Sequence, residues 1–175
     1  MALGVTEDIT ELIGKTPLLR FKHIVPAGAA NVYGKLEYLN PGGSIKDRAA
    51  MGLITDAERQ GFLKPGGTII EPTAGNTGVG LALIGRARGY RIVLCVPEGY
   101  SIEKMKVTQA LGGEIVYTPN ELGMQGAIDK RLNCQRRFPT HLFRNNLATR
   151  QIRATTMKRL AVRFMSSLTG KWMRW

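Results

Sequence analysis

The chain is poor in the residues that staple or metallate small proteins. It has two cysteines and two histidines in 175 residues. Neither Cys95 and Cys134 nor His23 and His141 stand at metal-ligand or triad spacing. A thiol inside the apolar run Tyr90 to Val96 is expected to behave as a small buried hydrophobe rather than a nucleophile. No apolar run reaches the roughly 18 residues of a membrane span, and Met1 to Asp8 has neither a basic n-region nor an apolar h-region. These absences lead us to expect a soluble cytoplasmic protein without a disulfide or metal framework.

Acidic residues are missing from one region altogether. Residues 131–175 hold eleven Lys/Arg and no Asp or Glu, whereas residues 1–130 hold fourteen against thirteen. The net charge of +12 and the pI near 10.2 therefore describe the last quarter of the chain. They give no reason to expect nucleic acid or a membrane as partner of the folded part. Glycine divides the same way, since only Gly170 of the twenty-one lies after residue 130.

What is present is a rhythm. Pro17 to Phe21 and Asn31 to Tyr38 read as short strands. Ser44 is placed to cap a helix that runs to about Gln60, with Ala50, Leu53, Ile54 and Ala57 on one face and Gly61 ending it. Thr68 to Glu71, Tyr90 to Val96 and Glu114 to Thr118 read as strands, with helices over Asn76 to Arg88, Ser101 to Leu111 and Leu122 to Lys130. Apolar strands alternating with helices predict a parallel sheet buried on both faces, a three-layer α/β domain over about residues 40–130. Residues 1–39 form an N-terminal segment, and 131–175 a basic tail.

Two loops carry the chemistry. In Asn40-Pro41-Gly42-Gly43-Ser44-Ile45-Lys46-Asp47-Arg48 a lysine opens a helix, where the dipole favours an amine able to form an imine. In Glu71-Pro72-Thr73-Ala74-Gly75-Asn76-Thr77-Gly78 a polar turn follows directly on a strand, the place where open α/β sheets bind ligands. Hydroxyls of Thr73 and Thr77, the Asn76 amide and the exposed backbone at Gly75 and Gly78 suit a carboxylate or phosphate. Taken singly, Lys46 also reads as a solvated first-turn lysine, and the turn as an ordinary cap by Asn76 or Thr77.

With these stand I-G-K-T-P-L (13–18), K-L-E-Y-L-N-P-G-G-S-I-K-D-R (35–48), E-P-T-A-G-N-T-G-V-G-L-A (71–82), V-P-E-G-Y-S-I-E-K (96–104) and G-M-Q-G-A-I-D-K (123–130). On these motifs residues 8–130 resemble the cysteine synthase and cystathionine β-synthase family of fold-type II pyridoxal phosphate enzymes. The resemblance implies a tryptophan synthase β-like fold, whose second domain has no counterpart in this sequence and would pack on residues 1–39. It implies pyridoxal 5′-phosphate as cofactor, Lys46 as its imine-forming lysine and acid/base, and Asn76 bonding the 3′-oxygen. Thr73, Ala74, Gly75 and Thr77 would bind the substrate carboxylate. The implied reaction is β-replacement on O-acetylserine or serine by a thiol or sulfide, in a homodimer. Ala74, where many cysteine synthases have Ser, points to the bacterial branch that uses O-acetylserine and homocysteine.

The tail invites a different explanation. Read from the third base of each codon, Met157-Lys158 forces a glutamate. Allowed codons from Asn146 to Met165 then give F-G-N-P-A-N-P-x-x-H-Y-E-T-T-G-x-E-I, which the family would have next. We therefore expect a frame change between about Asp129 and Phe143. Two rival readings are a cationic helix over Ile152 to Trp175 for nucleic acid or membrane, and a dinucleotide-binding dehydrogenase fragment. The glycine order G-x-x-G-x-G, set off from its strand by Pro72-Thr73-Ala74, argues against the second.

Overall fold

The computed structural model describes residues 4–26, 28–137, 141 and 142. Most of the expected tail, and the candidate cationic helix with it, lies outside the described residues.

Residues 4–39 form little regular structure. A 3-10 turn at Ile9–Leu12 is capped by Asp8, whose carboxylate accepts the Thr10 N–H at 2.8 Å. Strands β1 (Leu18–Arg20) and β2 (Tyr33–Lys35) pair antiparallel. The strand expected over Asn31 to Tyr38 is thus only three residues long. It stops because Glu37–Leu39 turns into a 3-10 helix, which carries the Glu37 carboxylate toward Asn40 and Arg48.

From Lys46 onward strands and helices alternate as expected: α1 (Lys46–Arg59), β3 (Thr68–Pro72), α2 (Asn76–Ala87), β4 (Arg91–Pro97), α3 (Ile102–Ala110), β5 (Glu114–Thr118), α4 (Gly123–Arg137) and β6 (His141–Leu142). Ser44 serves the start of α1 by accepting the Lys46 N–H on its Oγ at 3.1 Å, and Gly61, with φ +73°, ends it. Ser101 lies just ahead of its helix in the left-handed region, at φ 42°. Helix α4 runs seven residues past Lys130, across the boundary drawn from composition, and β6 adds a further strand.

The sheet order is β5-β4-β3-β6 and every pair is parallel. One face is covered by α1, α2 and α3: Ile54, Leu81, Ile84 and Met105 close over Ile69, Ile92 and Leu94. The other is covered by α4, where Ala127 and Cys134 meet Ile70, Val93 and Cys95. Burial on both faces is why β3 and β4 read as unbroken apolar runs.

The strand order has a positional consequence. From β3 the chain moves outward to β4 and β5, then returns to the far side of β3 as β6. The direction of winding reverses at β3, and such a switch point opens a crevice at the carboxyl ends of the strands.

Candidate active site

The loop Thr73–Gly78 leaves the carboxyl end of β3 at that switch point. Within it the Gly75 N–H points at Thr73 Oγ1 at 3.4 Å, and the Gly78 N–H donates to the Gly75 carbonyl at 3.0 Å. No side chain caps α2, and a Cβ built on Gly75 would meet nothing within 4 Å. The start of this twelve-residue helix thus carries no side-chain cap and has open space beside Gly75, a setting whose positive dipole end suits a carboxylate or phosphate. Asn76 is exposed, and Thr73, Ala74, Gly75 and Thr77 are half-buried. Asn76 is the first helical residue, so neither it nor Thr77 is the cap.

The second loop meets the first through two close-packed helices. A Cβ on Gly80, one turn into α2, would lie 3.2 Å from the Lys46 carbonyl oxygen and 3.3 Å from Asp47 Cα. Glycine lets the backbones approach this closely, and the contact sets the first turn of α1 against α2 one turn beyond its start. Lys46 itself is exposed there. An exposed amine on one helix start, beside an uncapped anion cradle on the next, fits a ligand that combines an aldehyde with anionic oxygens.

Beneath the loops lie charged groups to which sequence reasoning gave no role. Asp47 is wholly buried; its Oδ2 accepts the Gly42 N–H at 2.5 Å, and its Oδ1 has no hydrogen-bond partner among the described residues. Burial holds its carboxyl above the usual range, with the nearby Glu37 charge acting in the same direction against the Gly42 bond. Glu71, two residues before Thr73, is pushed up to about 7 by burial, against the pull of Arg131. Arg131 is itself buried, so the first residue of the basic segment packs into the domain. Cys95 is fully buried, and its thiol is pushed up to about 12 by burial and by the neighbouring Cys134 thiol. That accords with its reading as a core hydrophobe. Among the described residues no cluster of His, Cys, Asp and Glu suits a metal ion, and no helix is long and apolar enough to cross a membrane.

Comparison with known proteins places these features in a family. The model of the family described as "Pyridoxal-phosphate dependent enzyme" matches residues 9–163. The chain is 58% identical over 134 residues to the O-acetylserine dependent cystathionine beta-synthase of Bacillus subtilis, covering 76% of this chain and 43% of that protein. It is 50% identical over 130 residues to a cysteine synthase of Staphylococcus aureus, covering 74% of this chain and 42% of that one. Among solved structures, that of O-ureido-L-serine synthase superposes with a TM-score of 0.85 at 36% identity, over 97% of this chain and 53% of the other. The chain thus spans less than half the length of the curated relatives named here.

Proposed function

Because the chain belongs to the pyridoxal-phosphate dependent enzymes, we propose that it is part of an enzyme of β-replacement on O-acetylserine or serine, with homocysteine or sulfide as the incoming sulfur nucleophile. The observation that carries the reading is the meeting of the Lys46 and Asn76 helix starts at Gly80, beside a sheet switch point. Pyridoxal phosphate, when bound, supplies an electrophilic carbonyl and an electron sink. The rest of the work falls to the chain. Lys46 would hold the cofactor and would move the proton at the substrate Cα. Asn76 would bond the cofactor's 3′-oxygen, and the backbone and hydroxyls of Thr73, Ala74, Gly75 and Thr77 would hold the substrate carboxylate.

Identity to the Bacillus subtilis enzyme and the alanine at position 74 favour O-acetylserine with homocysteine. The proposal includes a cytoplasmic setting, a homodimeric intact protein and the frame change between about Asp129 and Phe143. It also holds that the 175-residue chain alone is not a working enzyme.

Two experiments test this. Resequencing the gene through and beyond codon 130 should reveal the displaced frame; an undisturbed frame would remove that part. The frame-restored protein should convert O-acetylserine and homocysteine to the thioether product faster than it converts sulfide to cysteine. Thr73→Val and Asn76→Ala should each lower turnover by roughly one order of magnitude or more, since hydrogen bonds to charged groups contribute about 1.5–3 kcal/mol. A preference for sulfide would contradict the nucleophile assignment, and no turnover with either would contradict the reaction.

A further inference from the structure

The turn in front of Lys46 is held by an unusual density of polar contacts from outside the α/β unit. Arg48 is the centre. Its Nε donates to Glu37 Oε2 at 2.7 Å, and its Nη2 reaches Glu37 Oε1 at 3.0 Å, the Gly14 carbonyl at 2.9 Å and Thr16 Oγ1 at 3.1 Å. Asn40, only 4% exposed, accepts the Gly14 N–H on Oδ1 at 2.8 Å. Its Nδ2 lies 2.8 Å from the Glu37 carbonyl, 2.9 Å from Glu37 Oε2 and 3.1 Å from the Ser44 carbonyl. Ser44 in turn receives the Lys46 N–H. The I-G-K-T and E-Y-L-N-P-G-G-S-I-K-D-R motifs are thus two halves of one clamp, closed around the lysine's turn.

Apolar packing does not do this job. The buried face of α1 starts with the polar Asp47, and its apolar part begins only at Ala50, one turn beyond Lys46, and continues through Ile54 and Ala57. The body of the helix is therefore placed by the core, whereas its first turn rests on the Gly80 backbone of α2 and is oriented by the clamp and by the bond from Gly42 to Asp47. A planar guanidinium serving both oxygens of one carboxylate, and two oxygens of a third segment, fixes direction as well as distance.

We propose that Glu37, Asn40 and Arg48 are positioning residues for the Lys46 amine, acting through the 40–45 turn. The proposal rests on the reading of Lys46 as the cofactor lysine. It predicts a local effect: breaking the clamp should misplace the amine while α1 and the sheet stay folded.

The test uses the 175-residue chain, pyridoxal 5′-phosphate and borohydride. The amine adds to the aldehyde carbon and water leaves as the carbon–nitrogen double bond forms. Borohydride then delivers hydride to that carbon and solvent a proton to nitrogen, leaving a pyridoxyl secondary amine that peptide mapping locates. In the unaltered chain Lys46 should be labelled well ahead of the exposed Lys64 and Lys106. Glu37→Gln and Arg48→Lys should each cut that preference by about tenfold or more, as misplacement of a reacting group does, with the far-UV circular dichroism and the labelling of Lys64 and Lys106 unchanged. Arg59→Ala, which removes an exposed pair with Asp56, should leave the preference intact.

An unchanged preference in both clamp variants overturns the proposal while leaving the cofactor reading standing. No preference for Lys46 in the unaltered chain overturns the cofactor reading and the clamp with it. Should both variants unfold, hydrogen exchange of the unaltered chain decides. The Gly43 and Lys46 amides should be protected as strongly as the interior of α1, and rapid exchange there overturns the clamp.

Discussion

Residues 4–39 and 40–137 are held by different forces. In the second region the sheet is dry: Ile69, Ile70, Ile92, Leu94 and Val96 are wholly buried between layers. In the first, Val5 is 91% exposed and Ile24 77%, while the buried residues are Thr10, Gly14 and Thr16. The N-terminal segment is fastened by hydrogen bonds that Arg48 donates to the Gly14 carbonyl and Thr16 Oγ1 and by one that the Gly14 N–H donates to Asn40. The α/β unit is therefore a core that forms by excluding water, with a polar strap across its reactive end. Perturbations that strike one region should leave the other standing.

The largest effect should come from the core. Ile54→Ala removes a fully buried side chain of α1 from the main core cluster and should cost about 2–5 kcal/mol, read as a lowered denaturation midpoint of the whole unit. Next comes the titration of Glu71. Its folded value of about 7 lies above the ordinary 4.5, so the folded state binds the proton more tightly. Its contribution is complete below about 4.5 and is lost as pH rises to about 7, so stability should fall across that window. Glu71→Gln should remove the descending slope, and denaturant melts at pH 5 and 7.5 would show it.

Gly78→Ala should follow, at about 1–3 kcal/mol. Its Cβ would sit 2.5 Å from Leu94 Cδ1 and 3.2 Å from Thr73 Cγ2, so relief must displace the core or the candidate carboxylate loop. The smallest effect, about 1 kcal/mol after allowance for partial exposure, should come from acid acting on the strap. Burial raises the Glu37 carboxyl, but bonds from Arg48, Asn40 and Thr16 outweigh it and hold the group below its ordinary value. Its stabilisation is present above the ordinary value and is lost as pH falls through the lowered one. Protease cleavage near Gly14 should accelerate on acidification before cleavage within α2 does; simultaneous cleavage would erase the distinction between strap and core.

The same division explains what could be read from the sequence. The strands and helices from Ser44 to Thr118 were legible because burial on defined faces leaves periodic apolar residues, and the two loops because glycines and hydroxyls cluster at strand ends. Contacts between distant polar residues leave no period. Glu37 read as part of a strand, yet its carboxylate is drawn into the clamp and the backbone turns with it. Arg48 was given no role and Arg131 was counted with the basic tail, and only the folded chain shows them drawn into the domain. The end of α4 was hidden because its basic residues 131–137 resemble the tail in composition, and β6 because two residues carry no pattern. Of the candidate site, the lysine and the loop were visible in the sequence, while the groups that fix their orientation were not.

The central claim is that the turn of Lys46 and the loop of Asn76 form one reactive site at the carboxyl end of β3. Borohydride trapping of pyridoxal 5′-phosphate on the unaltered chain, followed by peptide mapping, tests it most directly. The account predicts the pyridoxyl group on Lys46 in preference to every other lysine, with that preference suppressed by a competing O-acetylserine carboxylate. A label spread evenly over the exposed lysines, or concentrated on a lysine other than Lys46, would contradict it.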